Sequence, residues 1–73
     1  MKITDAKSFG KALKEKRKKA GYTQNDIADF TGYSVSFISD LERGKETAEL
    51  GRAIRLATLL GLDLDIVSRG ERL

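Results

Sequence analysis

Thr23 to Gly44 reads TQNDIADFTGYSVSFISDLERG, and within it the residues mark the start and the end of one helix and then of another. The Thr23 hydroxyl can accept from the free backbone amide three residues on, and Asp26 stands where a carboxylate can reach back to Thr23. That pair predicts a capping box with Asp in the less usual role. Ile27, Ala28 and Thr31 give the helix one small, largely apolar face, and Gly32 follows where a left-handed residue closes a helix without a Cβ clash. Ser34 offers a second N-cap. Beyond it Ile38 and Leu41 recur at helical spacing, which turns Val35, Ser36, Ser39, Asp40 and Arg43 outward, and Gly44 ends the segment.

Two helices of about eight to ten residues joined by a glycine-containing turn have the proportions of a helix-turn-helix, whose second helix fits a DNA major groove. The whole chain of 73 residues leaves room for one domain. A core of that size supplies about 3–5 kcal/mol of net stability, so dimerisation is the expected reinforcement. Cysteine and histidine are both absent. That removes a disulfide framework, an ordinary zinc site and an imidazole base, so neither an enzyme nor a cofactor is expected. The apolar stretches are too short to span a bilayer, and the opening residues lack the apolar run of a signal peptide. A cytoplasmic, nucleoid-associated protein without membrane or small-molecule partners is therefore expected.

Charge is unevenly spread along the chain. Residues 1–20 carry eight Lys/Arg against Asp5 and Glu15, a balance of +6, whereas residues 21–73 balance at −3. A basic segment on a nearly neutral body suits a polyanion; the plainer reading is a solvated lysine face.

In chain order, residues 1–7 form an expected flexible lead. Ser8 caps a helix to about Lys19, with Phe9, Leu13 and Ala20 inward and Ala12 widening the stripe. Gly21 stops that helix, and Tyr22 is read as core at the corner. Lys45 and Glu46 make a short linker to a fourth helix capped by Thr47 and running through Leu60. Its inward positions are Leu50, Ile54, Ala57 and Leu60, broadened by Ala53 and Leu56. After Gly61 the period changes: Leu62, Leu64 and Ile66 alternate with Asp63, Asp65 and Val67, which is strand spacing. An isolated strand leaves its backbone groups open, so this one is expected to pair with its copy across a two-fold axis. One or two further helical turns are the competing reading. The expected domain is 8–61, with a dimerisation tail at 62–73.

The run TQNDIADFTGYSVSFISDLERGK resembles the phage-repressor (Cro/CI/Xre) helix-turn-helix family. The family's TQ, LA, G, S, IS, E and G are matched by Thr23-Gln24, Ile27-Ala28, Gly32, Ser34, Ile38-Ser39, Glu42 and Gly44. Similarity extends from about Ser8 to Leu64, including Arg17 ahead of Gly21 and a fourth helix ending in Leu-Gly-Leu. SVSFISDLERGK, the following Thr47 and Glu49-Leu50-Gly51, and the GLDLDIV tail are similar to the HipB-like antitoxins. The resemblance implies an all-α, compact four- to five-helix repressor-like domain that binds operator DNA as a homodimer, often joined by a C-terminal strand. It also implies a HipA-like kinase toxin as partner.

Carried onto this chain, the resemblance places Arg17 and Glu42 in a structural salt bridge between the first and third helices. It places Thr23 and Gln24 beside a phosphate at a helix N-terminus. Ser34, Val35, Ser36, Ser39 and Asp40 are the expected base contacts. Val35 suits a thymine methyl, the serines suit either base type, and Asp40 suits a cytosine amine, solvent or an intramolecular partner. No Arg, Lys, Asn or Gln precedes Arg43 on this face, so bidentate base readers are missing. Phe37 is either a core side chain or an apolar contact at the sugar-phosphate edge, and Arg43 and Lys45 are placed for flanking phosphates. Leu62, Leu64 and Ile66 are the expected dimer contacts. The alternative is a module of the same fold that holds a toxin or polymerase partner and reads no DNA.

Overall fold

The computed structural model describes residues 2–70; Met1 and residues 71–73, parts of the expected lead and tail, lie outside the described residues. Four helices follow one another: α1 (Ala6–Lys19), α2 (Gln24–Thr31), α3 (Val35–Glu42) and α4 (Leu50–Leu59). The fold is all-helical. Both α1 and α2 pack against α3, which makes α3 the central strut.

Helix α1 starts earlier than Ser8. Asp5 is its N-cap, with its Oδ1 accepting from the Ser8 amide at 2.8 Å, while the Ser8 hydroxyl accepts from the Asp5 amide at 3.1 Å. Ser8 is thus the third residue of a capping box that Asp5 opens, and a carboxylate at that spacing prevails over the hydroxyl as the cap. Residues 5–7 therefore belong to the folded unit and not to a flexible lead. Leu13 is buried and Phe9 half-buried as expected, but Ala20 is exposed. Gly10 and Arg17 complete the buried face.

The second and third helices open as the sequence predicts. Thr23 Oγ1 accepts from the Asp26 amide at 3.0 Å, Asp26 Oδ2 accepts from the Thr23 amide at 2.9 Å, and Ser34 Oγ accepts from the Phe37 amide at 3.0 Å. Gly32 closes α2 at φ 78 and Gly44 follows α3 at φ 88. At the end of α3 the Lys45 amide returns to the Asp40 carbonyl and the Gly44 amide to that of Leu41, a Schellman closure that needs a left-handed residue at position 44.

Helix α4 departs from expectation at its start and in its facing. Glu49, not Thr47, is the N-cap: its carboxylate accepts from the amides of Gly51 and Arg52 at 2.6 and 3.1 Å. The inward face is Ala53, Leu56, Ala57 and Leu60, whereas Leu50 is 70% exposed and Ile54 also faces out. Two helical stripes overlap in this sequence, and the one richer in small residues sits inward because alanines let α4 approach the other helices closely. Leu13, Ile27, Ile38 and Leu41 meet that face in a single core, flanked by Phe9, Ala28, Tyr33, Phe37, Ala48 and Leu62. Tyr22 lies half in solvent, edge-on to Phe30 with ring centroids 5.2 Å apart, and is not a plain core residue.

The expected C-terminal strand is absent among the described residues, and so are the alternative extra helical turns: 62–68 forms neither. A single chain offers this segment no partner ladder. Leu62 instead closes α4, its amide donating to the Ala57 carbonyl at 2.9 Å, and its side chain joins the edge of the core. Leu64 is exposed and Ile66 is 99% exposed.

Candidate nucleic-acid interface

The outer face of α3 is held from behind by a buried ionic knot. Arg17 Nε donates to Glu42 Oε2 at 2.7 Å and Arg17 Nη2 to Glu42 Oε1 at 3.0 Å, with both side chains almost fully buried. Arg17 Nη1 also donates to the Tyr22 carbonyl at 2.8 Å. The fork geometry satisfies both carboxylate oxygens, and hydrogen bonding to Glu42 raises the Arg17 pKa above its already high ordinary value. The knot ties the end of α1, the entry to α2 and the end of α3 into one unit.

Gln24 belongs to the same knot, since its Nε2 donates to Glu42 Oε1 at 3.0 Å. The side chain assigned to a phosphate is therefore fixed by an internal acceptor, which leaves its carbonyl oxygen and second N–H for other partners. Thr23 caps α2 with its hydroxyl. The N-terminus of α2 still carries the partial positive charge of a helix start beside these two residues.

On the outer face the five residues assigned to bases divide into two groups. Ser34, Val35 and Ser36 are exposed at the start of α3. Ser39 and Asp40, one turn later, are half-buried and engaged: Arg43 Nη1 donates to Ser39 Oγ at 2.6 Å, and Arg43 Nη2 pairs with Asp40 Oδ1 at 2.6 Å. Lys45 Nζ lies 3.5 Å from Asp40 Oδ2. Asp40 thus clips together the two cations expected to reach flanking phosphates, which is the intramolecular role open to it beside a cytosine contact or solvent. Sequence spacing leaves the partner of Asp40 open, since Arg43 at i, i+3 and Lys45 at i, i+5 equally suit flanking phosphates.

Phe37 resolves toward its core alternative. It packs against the hydrophobic core and meets Tyr33 edge-on, centroids 5.3 Å apart. Behind Tyr33 stand two guanidinium groups from α4, Arg52 at 5.8 Å and Arg55 at 6.0 Å from the ring centre. The i, i+3 spacing puts Arg52 and Arg55 on one face of α4, but only the packing of α4 brings that face to Tyr33, so no local signal pointed to the cluster.

A rigid helix-turn-helix with its second helix bared at the N-terminal end agrees with the comparison to known proteins. The helix-turn-helix family model HTH_3 matches residues 13–67. The chain belongs to this family. It is 34% identical over 97% of its length, and 93% of the relative's, to the uncharacterised HTH-type transcriptional regulator y4mF of Sinorhizobium fredii. It is 33% identical, over 94% of its length and 77% of the relative's, to the ImmF control region 10 kDa protein of Bacillus phage phi105. Among solved structures, a chain of the HipB-O4 20mer complex superposes with a TM-score of 0.84 at 23% identity, covering 94% of this chain and 97% of that one. A chain of the HipA-HipB-O2-O3 complex superposes at 0.83 with the same identity and coverage. The protein is a DNA-binding helix-turn-helix transcription regulator of the Xre type, with a HipB-like fold.

Proposed function

We propose that this regulator is a repressor that binds a palindromic operator as a homodimer, with half-sites about 34 Å apart and α3 of each protomer in the major groove. The observation that carries the reading is the bared start of α3, with Ser34, Val35 and Ser36 exposed on a helix that Arg17, Gln24 and Glu42 hold from behind. Readout then rests on the first turn of α3: a valine for a thymine methyl and two serines for either base type. Such contacts discriminate less per base than bidentate ones, so repression depends on two half-sites being read together. Occupancy of the promoter by the dimer blocks transcription.

The second copy is supported by the tail. Past Leu62 the chain exposes Leu64 and Ile66, which share one face of an extended segment that pairing with a second copy would help to cover. The HipB-like fold extends the proposal to an antitoxin that represses its own operon and binds a HipA-like kinase toxin, since one structure of similar fold is a HipA-HipB-O2-O3 complex.

Titration of the purified protein against DNA from upstream of its own gene and against random DNA, at two salt concentrations, tests this reading. A preference for its own upstream DNA on the order of a thousand, with affinity falling as salt rises, is the expected result. Equal, weak binding to both DNAs would refute autorepression and move the function to a protein partner.

A further inference from the structure

The exposed lysines of α1 are not scattered around it. Lys7, Lys11 and Lys14 follow one another at i, i+4 and i+7, which puts them on one face, and all three are exposed. The fold sets that face beside the end of the recognition helix. Lys7, Lys11 and Lys14 line one hollow together with Glu42 and Arg43. The position of Lys7 is fixed by close packing: a Cβ added to Gly44 would stand 2.7 Å from the Lys7 Cα.

The charge in this hollow is only partly offset internally, by Lys7 acting on Asp5 beyond ion-pair distance. Among the described residues none of the three lysines lies within ion-pair distance of a carboxylate. Two acids share the hollow, and both have other partners. Asp5 accepts from the Ser8 amide, and Glu42 is held by Arg17 and Gln24. Arg43, by contrast, is drawn onto Asp40 and Ser39. Positive charge next to the end of α3 therefore sits on α1 as well as on the residues just after α3, where Arg43 and Lys45 share the one carboxylate of Asp40.

We infer that Lys7, Lys11 and Lys14 form a sequence-independent track for the DNA backbone flanking each half-site. The inference rests on α3 entering the groove as proposed above. From Lys7 to Lys14 the helix rises about 10 Å, a span over which three lysines on long flexible stems reach about two to three phosphates of one strand. A flexible ammonium on a long stem suits this task, because it follows phosphates as a point charge without demanding a fixed geometry. The track would add affinity and orientation to a recognition helix that lacks bidentate base readers, and it would add no base preference of its own.

The test compares two triple variants of the full chain with equal loss of charge. Lys7→Gln/Lys11→Gln/Lys14→Gln empties the hollow, and Lys16→Gln/Lys19→Gln/Arg69→Gln removes three cations elsewhere. Binding is measured over a range of salt on a random-sequence 40-mer duplex and on duplexes that the wild type selects from a random pool, with thermal melts confirming that both variants fold. The slope of log K against log salt is expected to become shallower by roughly two to three per bound protomer in the first triple, and by less than about half a unit in the second. The selected sequence should be the same for wild type and variants. Equal slopes for the two triples would overturn the track while leaving a selecting wild type as a sequence-specific binder. Failure of the wild type to select any sequence would refute the specific-repressor reading, and the slopes on the random duplex would still decide the track.

Discussion

Between α1 and α3 the chain closes on itself so tightly that backbone touches backbone and a buried arginine finds a partner for each of its three nitrogens. From Leu64 to Val67 the same chain leaves a run of apolar side chains in water. The two regions differ in where their complement lies. The α1–α3 seam finds it within the chain: Gly10 admits the Leu41 and Glu42 carbonyls, Gly44 admits Lys7, and Arg17 meets Glu42 and the Tyr22 carbonyl. Among the described residues the tail finds little of it within the chain: Leu64 shares a hollow with Ile3 and Phe9, but Ile66 and Val67 stay exposed, because α4 already turns its small-residue face inward and Leu62 seals the edge of the core. The packing of the helix-turn-helix unit is thus settled within one chain, whereas the apolar residues of the tail stay in water unless the proposed second copy covers them.

The largest expected effect comes from breaking the seam at its charges. Arg17→Met leaves Glu42 buried with only Gln24 as a donor, which should cost about 3–5 kcal/mol. A small domain with net stability of that order would be mostly unfolded at room temperature. Arg17→Met/Glu42→Leu removes the orphaned charge along with its partner and should recover much of the loss in urea melts. If the double variant is no more stable than the single one, the ion pair is a true source of stability and not mainly a mutual requirement of two buried charges.

Next in size are the glycines of the seam. Gly10→Ala drives a Cβ into the Leu41 and Glu42 carbonyls, which are backbone atoms of α3 and cannot step aside singly. Overpacking of this kind should cost about 1–3 kcal/mol and lower the melting temperature accordingly. Gly44→Ala meets both the Lys7 backbone and a left-handed φ of 88, so it should destabilise at least as much. Gly70→Ala is the matching control in the tail: it also has a positive φ but nothing within 4 Å, so only the backbone penalty applies.

The contrast also explains what was readable in the sequence. Caps and turns are local, so Thr23, Asp26, Gly32, Ser34 and Gly44 could be placed from neighbours a few residues away. The same locality misled at Ser8 and Thr47, where an acid three residues before or two residues after competed for the cap and prevailed. Facing is not local. Leu50 and Ile54 fit a helical stripe as well as Ala53 and Leu56 do, and only the approach of the other helices chooses between them. The exposure of Ser34, Val35 and Ser36 was legible because they sit just past a cap on a helix whose inner residues were clear. The tie from Asp40 to Arg43 and Lys45 was not, because side-chain pairing depends on rotamers that composition does not carry.

Changes in the tail should leave the protomer intact and act on association. Ile66→Asp alters a residue that is almost wholly in water, so its effect on the unfolding of a dilute protomer should stay within about 0.5 kcal/mol. Sedimentation should show the same variant shifted toward monomer, because a charge placed in a shared ladder is desolvated twice, once from each copy. A variant that stays fully dimeric would assign association to another surface and would remove the tail's claim to a complement.

The smallest effect lies at the rim of the seam, where Asp5 opens α1. Hydrogen bonds from the Ser8 amide and then the Ser8 hydroxyl hold the Asp5 carboxyl below its ordinary value of 3.8. A carboxylate with a depressed pKa stabilises the folded state fully above its unfolded value and loses that contribution as pH falls through the folded one. The first turn of α1 should therefore fray below about pH 3.8, while the packing of Gly10 and Gly44 across the seam has no proton to gain. Hydrogen exchange at the Ser8 and Phe9 amides reads the fraying directly, since Ser8 donates to the Asp5 side chain and Phe9 to the Asp5 carbonyl. Asp5→Asn keeps a good N-cap that does not titrate, so its exchange at these amides should not rise as the acid limit is approached. If the Asn variant frays over the same pH range, the acid sensitivity belongs to another carboxylate, and the rim of the seam owes nothing to the charge on Asp5.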